Sequence, residues 1–255
     1  MIAFTRALMR TAASRAAFSP AVRHASAGSA HAQAMLQQAD AVCFDVDSTV
    51  IDEEGIDVLA AHLGKGSEVA ALTLKAMSGG MGFREAMEAR LALMRPTRAS
   101  IAECLDEHPP KLNPGMGELV RQLHARGTHV FLVSGGFRLM IEPVAEALAI
   151  PAERVYANTI EFAEDGTYEA FDADEPTSTD TGKPTVIAQL KADRGYGTVV
   201  MVGDGCTDLA AKTGGAADAF IGFGGTAVRE TVKREADWFV YSMDELLGAL
   251  DGPAR

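Results

Sequence analysis

The stretch Ala41-Val42-Cys43-Phe44-Asp45-Val46-Asp47-Ser48-Thr49 passes from four apolar residues straight into two carboxylates and two hydroxyls. A short apolar run of this kind reads as a buried strand, and its polar end as a loop at the carboxyl edge of a sheet. The same pattern recurs along the chain. Thr128–Val133 (THVFLV) runs into Ser134-Gly135-Gly136, and Thr198–Val202 (TVVMV) runs into Gly203-Asp204-Gly205-Cys206-Thr207-Asp208. Ala219-Phe220-Ile221 and Trp238-Phe239-Val240 are two shorter apolar runs. Amphipathic helical patterns at Met116–Arg126, Phe137–Ala149, Pro184–Asp193 and Ala227–Arg234 lie between them. Strands alternating with helices predict an α/β fold on a parallel sheet flanked by helices.

Two stretches depart from this alternation. Asp57–Leu63, Glu68–Met77, Phe83–Met94 and Ser100–Glu107 are successive helical patterns with no strand between them, followed by Pro109, Pro110 and Pro114. They predict an inserted helical bundle. Val155–Phe171, with the turn Glu164-Asp165-Gly166, reads as a β-hairpin. The plan is a leader at 1–38, a sheet core at 39–55 and 110–255, and a helical cap at 56–109.

Composition narrows the function. A chain of 255 residues, 47% of them apolar, can bury one core and carry a small accessory domain. A formal net charge of −12 argues against a nucleic-acid partner, since phosphate-neutralising surfaces need excess Lys and Arg. Cys43, Cys104 and Cys206 are widely spaced and odd in number, which fits neither a disulfide framework nor a zinc-ligand pattern. Residues 1–39 hold Arg6, Arg10, Arg15 and Arg23 among many Ala and Ser, with no acidic residue. That is transit-peptide composition, pointing to a chloroplast stroma or mitochondrial matrix, or to the cytosol if the leader is an ordinary extension. Its apolar stretches are too interrupted for a membrane span of roughly 20 residues. Monomer and homodimer are equally compatible with the sequence.

In an open parallel sheet, ligands bind beyond the carboxyl ends of the strands. Asp45 and Asp47 are two residues apart, which on an extended strand directs both to one face, and Asp204 and Asp208 crowd another strand end. Such a cluster repels itself unless a cation neutralises it, and oxygen donors without His or Cys favour Mg2+. Gly182-Lys183-Pro184 stands where a helix should begin. Taken singly, these are ordinary turns, caps and solvated side chains; together and in chain order they form a pattern.

That pattern, D-x-D-S-T, then Ser134, then Lys183, then G-D-G-x-T-D, resembles the four motifs of haloacid dehalogenase-type phosphatases, whose core is a Rossmann-like sheet. The likeness to the phosphoserine phosphatase branch runs from about Val42 to Leu247, through FDVDSTVIDEEGID, Ala89-Arg90-Leu91-Ala92-Leu93, LVSGGF and VGDGCTD. The resemblance implies hydrolysis of O-phosphoserine by a phospho-aspartate route, with Asp45 the nucleophile, Asp47 the acid and base, and Lys183 offsetting charge. It implies that the side chains of Asp45 and Asp204 and the backbone carbonyl of Asp47 hold Mg2+, with Asp208 orienting that set. Ser134 and the Gly135 N–H would bind the phosphoryl group, and Thr207 would add a contact at the substrate or metal loop. Glu54 would take the substrate ammonium, Arg90 its carboxylate, and Met77 and Phe83 its apolar side.

The plainer reading of Arg90 is a solvated helix residue pairing with Glu85 or Glu88, and of Met77 a core methionine. Pro184 follows Lys183 where the family often has Gly, and suits a first helical position. Cys206 places a thiol in the acidic loop, either a small packing residue or an oxidation-sensitive one. A phosphotransferase would share all four motifs. A dinucleotide site or P-loop is disfavoured because no G-x-G-x-x-G follows the first strand and Gly182-Lys183-Pro184 lacks the P-loop hydroxyl. A silent phospholigand-binding protein would be expected to lack Asp45 or Asp204.

Overall fold

The computed structural model describes residues 27–251. The chain runs from α1 (Ala27–Gln37) through β1 (Ala41–Phe44) into a tight turn at Val46–Val50. It then leaves the sheet for α2 (Gly55–His62), α3 (Gly66–Met77), α4 (Phe83–Met94) and α5 (Arg98–Glu107). It returns through α6 (Met116–Ala125) to β2 (His129–Phe137), α7 (Arg138–Ala147) and β3 (Val155–Asn158). A hairpin of β4 (Ile160–Phe162) and β5 (Tyr168–Phe171) follows. The remainder is α8 (Gly182–Arg194), β6 (Val199–Gly203), α9 (Cys206–Thr213), β7 (Ala219–Phe223), α10 (Glu230–Glu235), β8 (Trp238–Val240) and α11 (Met243–Leu250).

Six strands form one sheet in the order β3-β2-β1-β6-β7-β8, every neighbouring pair parallel. The chain builds outward from β1 to β3, then crosses back to lay β6 on the other side of β1. That reversal opens a crevice at the carboxyl ends of β1, β2 and β6, where this class of sheet binds ligands. The strand period of two divides the core into two layers. Val42, Phe44, Val200 and Val202 pack on one side with residues of α1, α6, α7 and α11. Ala41, Cys43, Val199 and Met201 face the other, with residues of α8, α9 and α10.

The α/β class, the helical insert and a hairpin are as expected, but three details differ. Ala27–Gln37, read with the leader, is a helix whose Ala32 and Leu36 are fully buried against the sheet; residues 1–26 lie outside the described residues. Val155–Asn158, read as half of a hairpin, joins the main sheet beside β2, and only β4 and β5 pair antiparallel. Pro184 stands third in α8, still within the first turn, whose N–H groups have no intrahelical partner to lose.

The insert shares its core with the sheet. Leu59, Met87, Leu91, Ile101 and Cys104 pack with Phe137 and Met140 from the β2–α7 corner and with Ile160 of the hairpin. Its two connections run side by side, joined by a bridge between Ile51 and Leu112 and by the Asn113 N–H donating to the Val50 carbonyl at 2.8 Å. Buried Asn113 reinforces the crossing through its side-chain amide, which donates to the carbonyls of Thr49 and Ile51.

Candidate active site

Asp45 is extended (φ −66°, ψ 156°), but Val46 turns into helical conformation before Asp47 extends again (φ −61°, ψ 135°). The two carboxylates therefore diverge, a correction to the one-face expectation. One extra turn between them breaks the strand period. The Asp45 carboxylate accepts from the Val46 N–H (2.7 Å) and meets Lys183 Nζ at 2.8 Å. The Asp47 carboxylate turns toward the insert, accepting from the Gly55 N–H at 2.7 Å and from Ser134 Oγ at 3.4 Å. Ser48 completes the turn at φ 55°. This left-handed conformation costs a non-glycine residue about 1–2 kcal/mol. The Ser48 N–H donating to the Glu53 carbonyl and its hydroxyl donating to Glu54 at 2.7 Å work against that cost.

Neighbouring strands supply the rest. Ser134 is fully buried in β2 and accepts from the Gly136 N–H at 2.9 Å. Gly135 has no room for a side chain, because a Cβ there would lie 2.6 Å from Phe83 of the insert. Beyond β6, Asp204 accepts from Arg229 Nε at 2.8 Å and from Thr49 Oγ1 at 3.3 Å. Asp208 is fully buried, taking Lys183 Nζ at 2.6 Å on one oxygen and the Gly205 N–H at 2.9 Å on the other. Lys183 enters from the first turn of α8, where Gly182 must be glycine: a Cβ would sit 2.1 Å from the Pro176 carbonyl.

These groups line a cavity of about 200 Å³. It brings together Asp45, Asp47, Glu54, Arg90, Ser134, Gly135, Lys183, Asp204 and Thr207, with Phe83 on the insert side. Arg90 bends inward, its Nε donating to the Ala86 carbonyl and its Nη1 reaching Thr73, which is neither Glu85 nor Glu88. Met77 ends α3, and its side chain lies outside what is described. Asp208 stands behind Lys183, and Cys206 is exposed.

Carboxylates outnumber cations, with Asp45, Asp47, Glu54, Asp204 and Asp208 set against Lys183, Arg90 and Arg229. Burial works against charge on Lys183, but Asp208 and Asp45 on either side more than reverse this, and its pKa is held above that of an ordinary lysine. Burial, then the charge of Asp45, pushes Asp204 upward against the pull of Arg229. Burial, with the charges of Glu54 and Asp45 behind it, raises Asp47 to about 7. Asp45, Asp204 and Asp208 each place a carboxylate oxygen within 4.8 Å of the others. An all-oxygen, buried, self-repelling set of this kind fits a hard divalent cation.

A stability test follows from the sign of the Asp47 shift. Its carboxyl titrates near 3.8 when unfolded and near 7 when folded, so the native state holds the extra proton between these values. Metal-free protein is therefore expected to lose stability, on the order of a few kcal/mol, as pH rises through that window. Thermal unfolding in EDTA at about pH 5 and about pH 8 measures this. Asp47→Asn should shrink the difference between the two pH values; an equal difference in both proteins refutes the assignment.

Comparison with known proteins agrees with the geometry. The haloacid dehalogenase-like hydrolase family matches residues 42–211. The chain belongs to that family. Among its curated relatives, phosphoserine phosphatase of Bos taurus is 50% identical over 213 residues, covering 84% of this chain and 94% of the relative. The chloroplastic phosphoserine phosphatase of Arabidopsis thaliana is 47% identical over 212 residues, covering 83% of this chain and 72% of the relative. A solved structure of DsGPDH from Dunaliella salina superposes with a TM-score of 0.76 at 41% identity. It covers 86% of this chain, which spans 37% of that larger protein.

As a haloacid dehalogenase-like hydrolase, the chain carries one cavity-lining residue, Arg229, and one clasp beside the site, Arg84, that the sequence reading missed. Arg229 bonds Asp204 and lies 3.6 Å from Glu54, linking the acidic loop to the insert's first connection. Its signal was faint: a single arginine after Gly224-Gly225, in a stretch read as an ordinary helix. Arg84, in the first turn of α4, donates to Ser178 Oγ at 2.7 Å and the Ala173 carbonyl at 2.9 Å, clasping the insert to the loop before Lys183.

Proposed function

We propose that this haloacid dehalogenase-like hydrolase is a Mg2+-dependent phosphatase that converts O-phosphoserine to serine and inorganic phosphate through a phospho-aspartate on Asp45. The observation that carries the chemistry is the position of Asp45. One carboxylate oxygen is held by the Val46 N–H and the other by Lys183, at the edge of a cavity also lined by Ser134, Gly135 and Asp47.

In this reading a carboxylate oxygen of Asp45 attacks phosphorus while the bond to the serine oxygen breaks. Ser134 Oγ, the Gly135 N–H and Thr207 hold the phosphoryl oxygens. Asp47, whose raised pKa keeps a proton available near neutral pH, gives that proton to the departing alkoxide. Asp47 then takes a proton from water, which attacks the phospho-aspartate and releases phosphate. Mg2+ held by the Asp45 and Asp204 side chains and the Asp47 carbonyl would offset the repulsion between two anions. Asp208 fixes Lys183 and the turn at Gly205.

Residues 56–109 serve as a cap that excludes water and selects substrate. Glu54 and Arg90 share the cavity and offer one carboxylate and one guanidinium, the pair that a free amino acid's ammonium and carboxylate require. The names of the relatives from Bos taurus and Arabidopsis thaliana support that substrate. The arginine-bearing residues upstream of α1 are read as an organellar address, a plastid one by analogy with the Arabidopsis relative, checked by the N-terminus of the mature protein. No helix among the described residues is long and apolar enough to cross a membrane.

The test is phosphate release with Mg2+ from O-phosphoserine, O-phosphothreonine, sugar phosphates and a phosphopeptide. O-Phosphoserine should lead, and Arg90→Ala should lower its kcat/KM by about 10- to 100-fold, the value of a lost charge-assisted hydrogen bond. A preference for sugar phosphates that survives Arg90→Ala overturns the substrate assignment.

A further inference from the structure

The insert carries a second group of metal-ligating side chains that the reaction does not use. His62 is the last residue of α2, Glu107 the last of α5, and His108 follows directly. Each offers a ligand atom within 4.8 Å of the other two. His62 Nδ1 and Glu107 Oε2 are already 3.3 Å apart. A tetrahedral ion with bonds of about 2.1 Å separates its ligands by about 3.4 Å, so this pair needs almost no adjustment. The two imidazoles stand edge to face, with centroids 6.3 Å apart and planes at 79°, so a modest rotation of the exposed His108 brings its nitrogen to the same point.

We infer that His62, Glu107 and His108 form a site for a borderline transition-metal ion such as Zn2+, tying together the ends of the first and last helices of the insert. Two imidazoles and a carboxylate are the donors such ions prefer, whereas the active-site cluster offers oxygen alone. The two sites therefore select different metals. All three ligands lie at helix C-termini, where the carbonyl ends of α2 and α5 favour positive charge. His62 is the fixed anchor, its side chain only 14% exposed, while Glu107 at 65% is free to adjust. Water completes the coordination of an ion held by three protein ligands. The bound ion joins the C-terminal ends of α2 and α5 and so stiffens the insert itself.

The experiment uses the full chain with saturating Mg2+. Zn2+ is titrated against a chromophoric chelator, and Co2+ reports geometry through its visible spectrum. A single Zn2+ per chain with micromolar or tighter affinity is expected, together with the intense absorption of tetrahedral Co2+. His108→Gln, at an exposed position that tolerates the change, should weaken binding by about tenfold or more. His62→Gln should do the same, and Asp204→Asn should leave binding intact. Zn2+ binding that survives His108→Gln, that disappears in Asp204→Asn, or that is absent throughout overturns the inference.

Discussion

Asp45→Asn is expected to abolish phosphate release, by roughly 10⁴-fold or more, as loss of a nucleophile does. The amide is close in shape to the carboxylate. Its oxygen can still accept from the Val46 N–H, so the turn at Val46–Val50 should persist. What is lost is the anionic oxygen that attacks phosphorus. Folding should suffer less than turnover: the amide NH2 then faces Lys183, but Lys183 keeps Asp208 at 2.6 Å, and one of three crowded buried carboxylates loses its charge. Phosphate release and thermal unfolding measured side by side separate the two effects. Substantial turnover in the variant would sink the nucleophile assignment.

Lys183→Met is expected to damage both folding and catalysis. The ammonium is buried between Asp45 at 2.8 Å and Asp208 at 2.6 Å, and Asp208 has no exposure to water. Methionine fills similar space but leaves two buried carboxylates facing each other, and breaking a buried ion pair from one side typically costs about 3–5 kcal/mol. Thermal unfolding in EDTA should show the full loss, and added Mg2+ should restore part of it by supplying charge to the same cluster. Turnover should fall by roughly 10²- to 10³-fold, the usual value of a single preorganised charge stabiliser. An unchanged melting temperature with unchanged turnover would refute the role given to Lys183.

How far these residues could be read without a structure depends on how locally each is fixed. β1 and β6 were legible because a few contiguous apolar residues bounded by polar ones suffice, and both strands lie within a residue of their expected bounds. α2 to α5 were legible because four helical periods followed one another without a strand. β3 was misread because its pattern does not say which neighbour it pairs with: it runs parallel to β2, and the antiparallel partner of β5 is the three-residue β4. α1 was misread because its alanines have the composition of a leader, and only packing shows Leu36 in the core.

The sequence by itself determined the alternation that builds the sheet, the acidic strand ends and the motif order that carries the family. All are properties of short segments, set by side-chain period and local turn chemistry. The tertiary structure alone decided which partners those residues meet. It turned Asp47 away from Asp45, set Arg229 on Asp204 across 25 positions, and clasped Arg84 to Ser178 across 94. It also brought His62 to Glu107. Such pairs form where crossovers and helix packing bring distant segments together, and no spacing along the chain encodes that meeting.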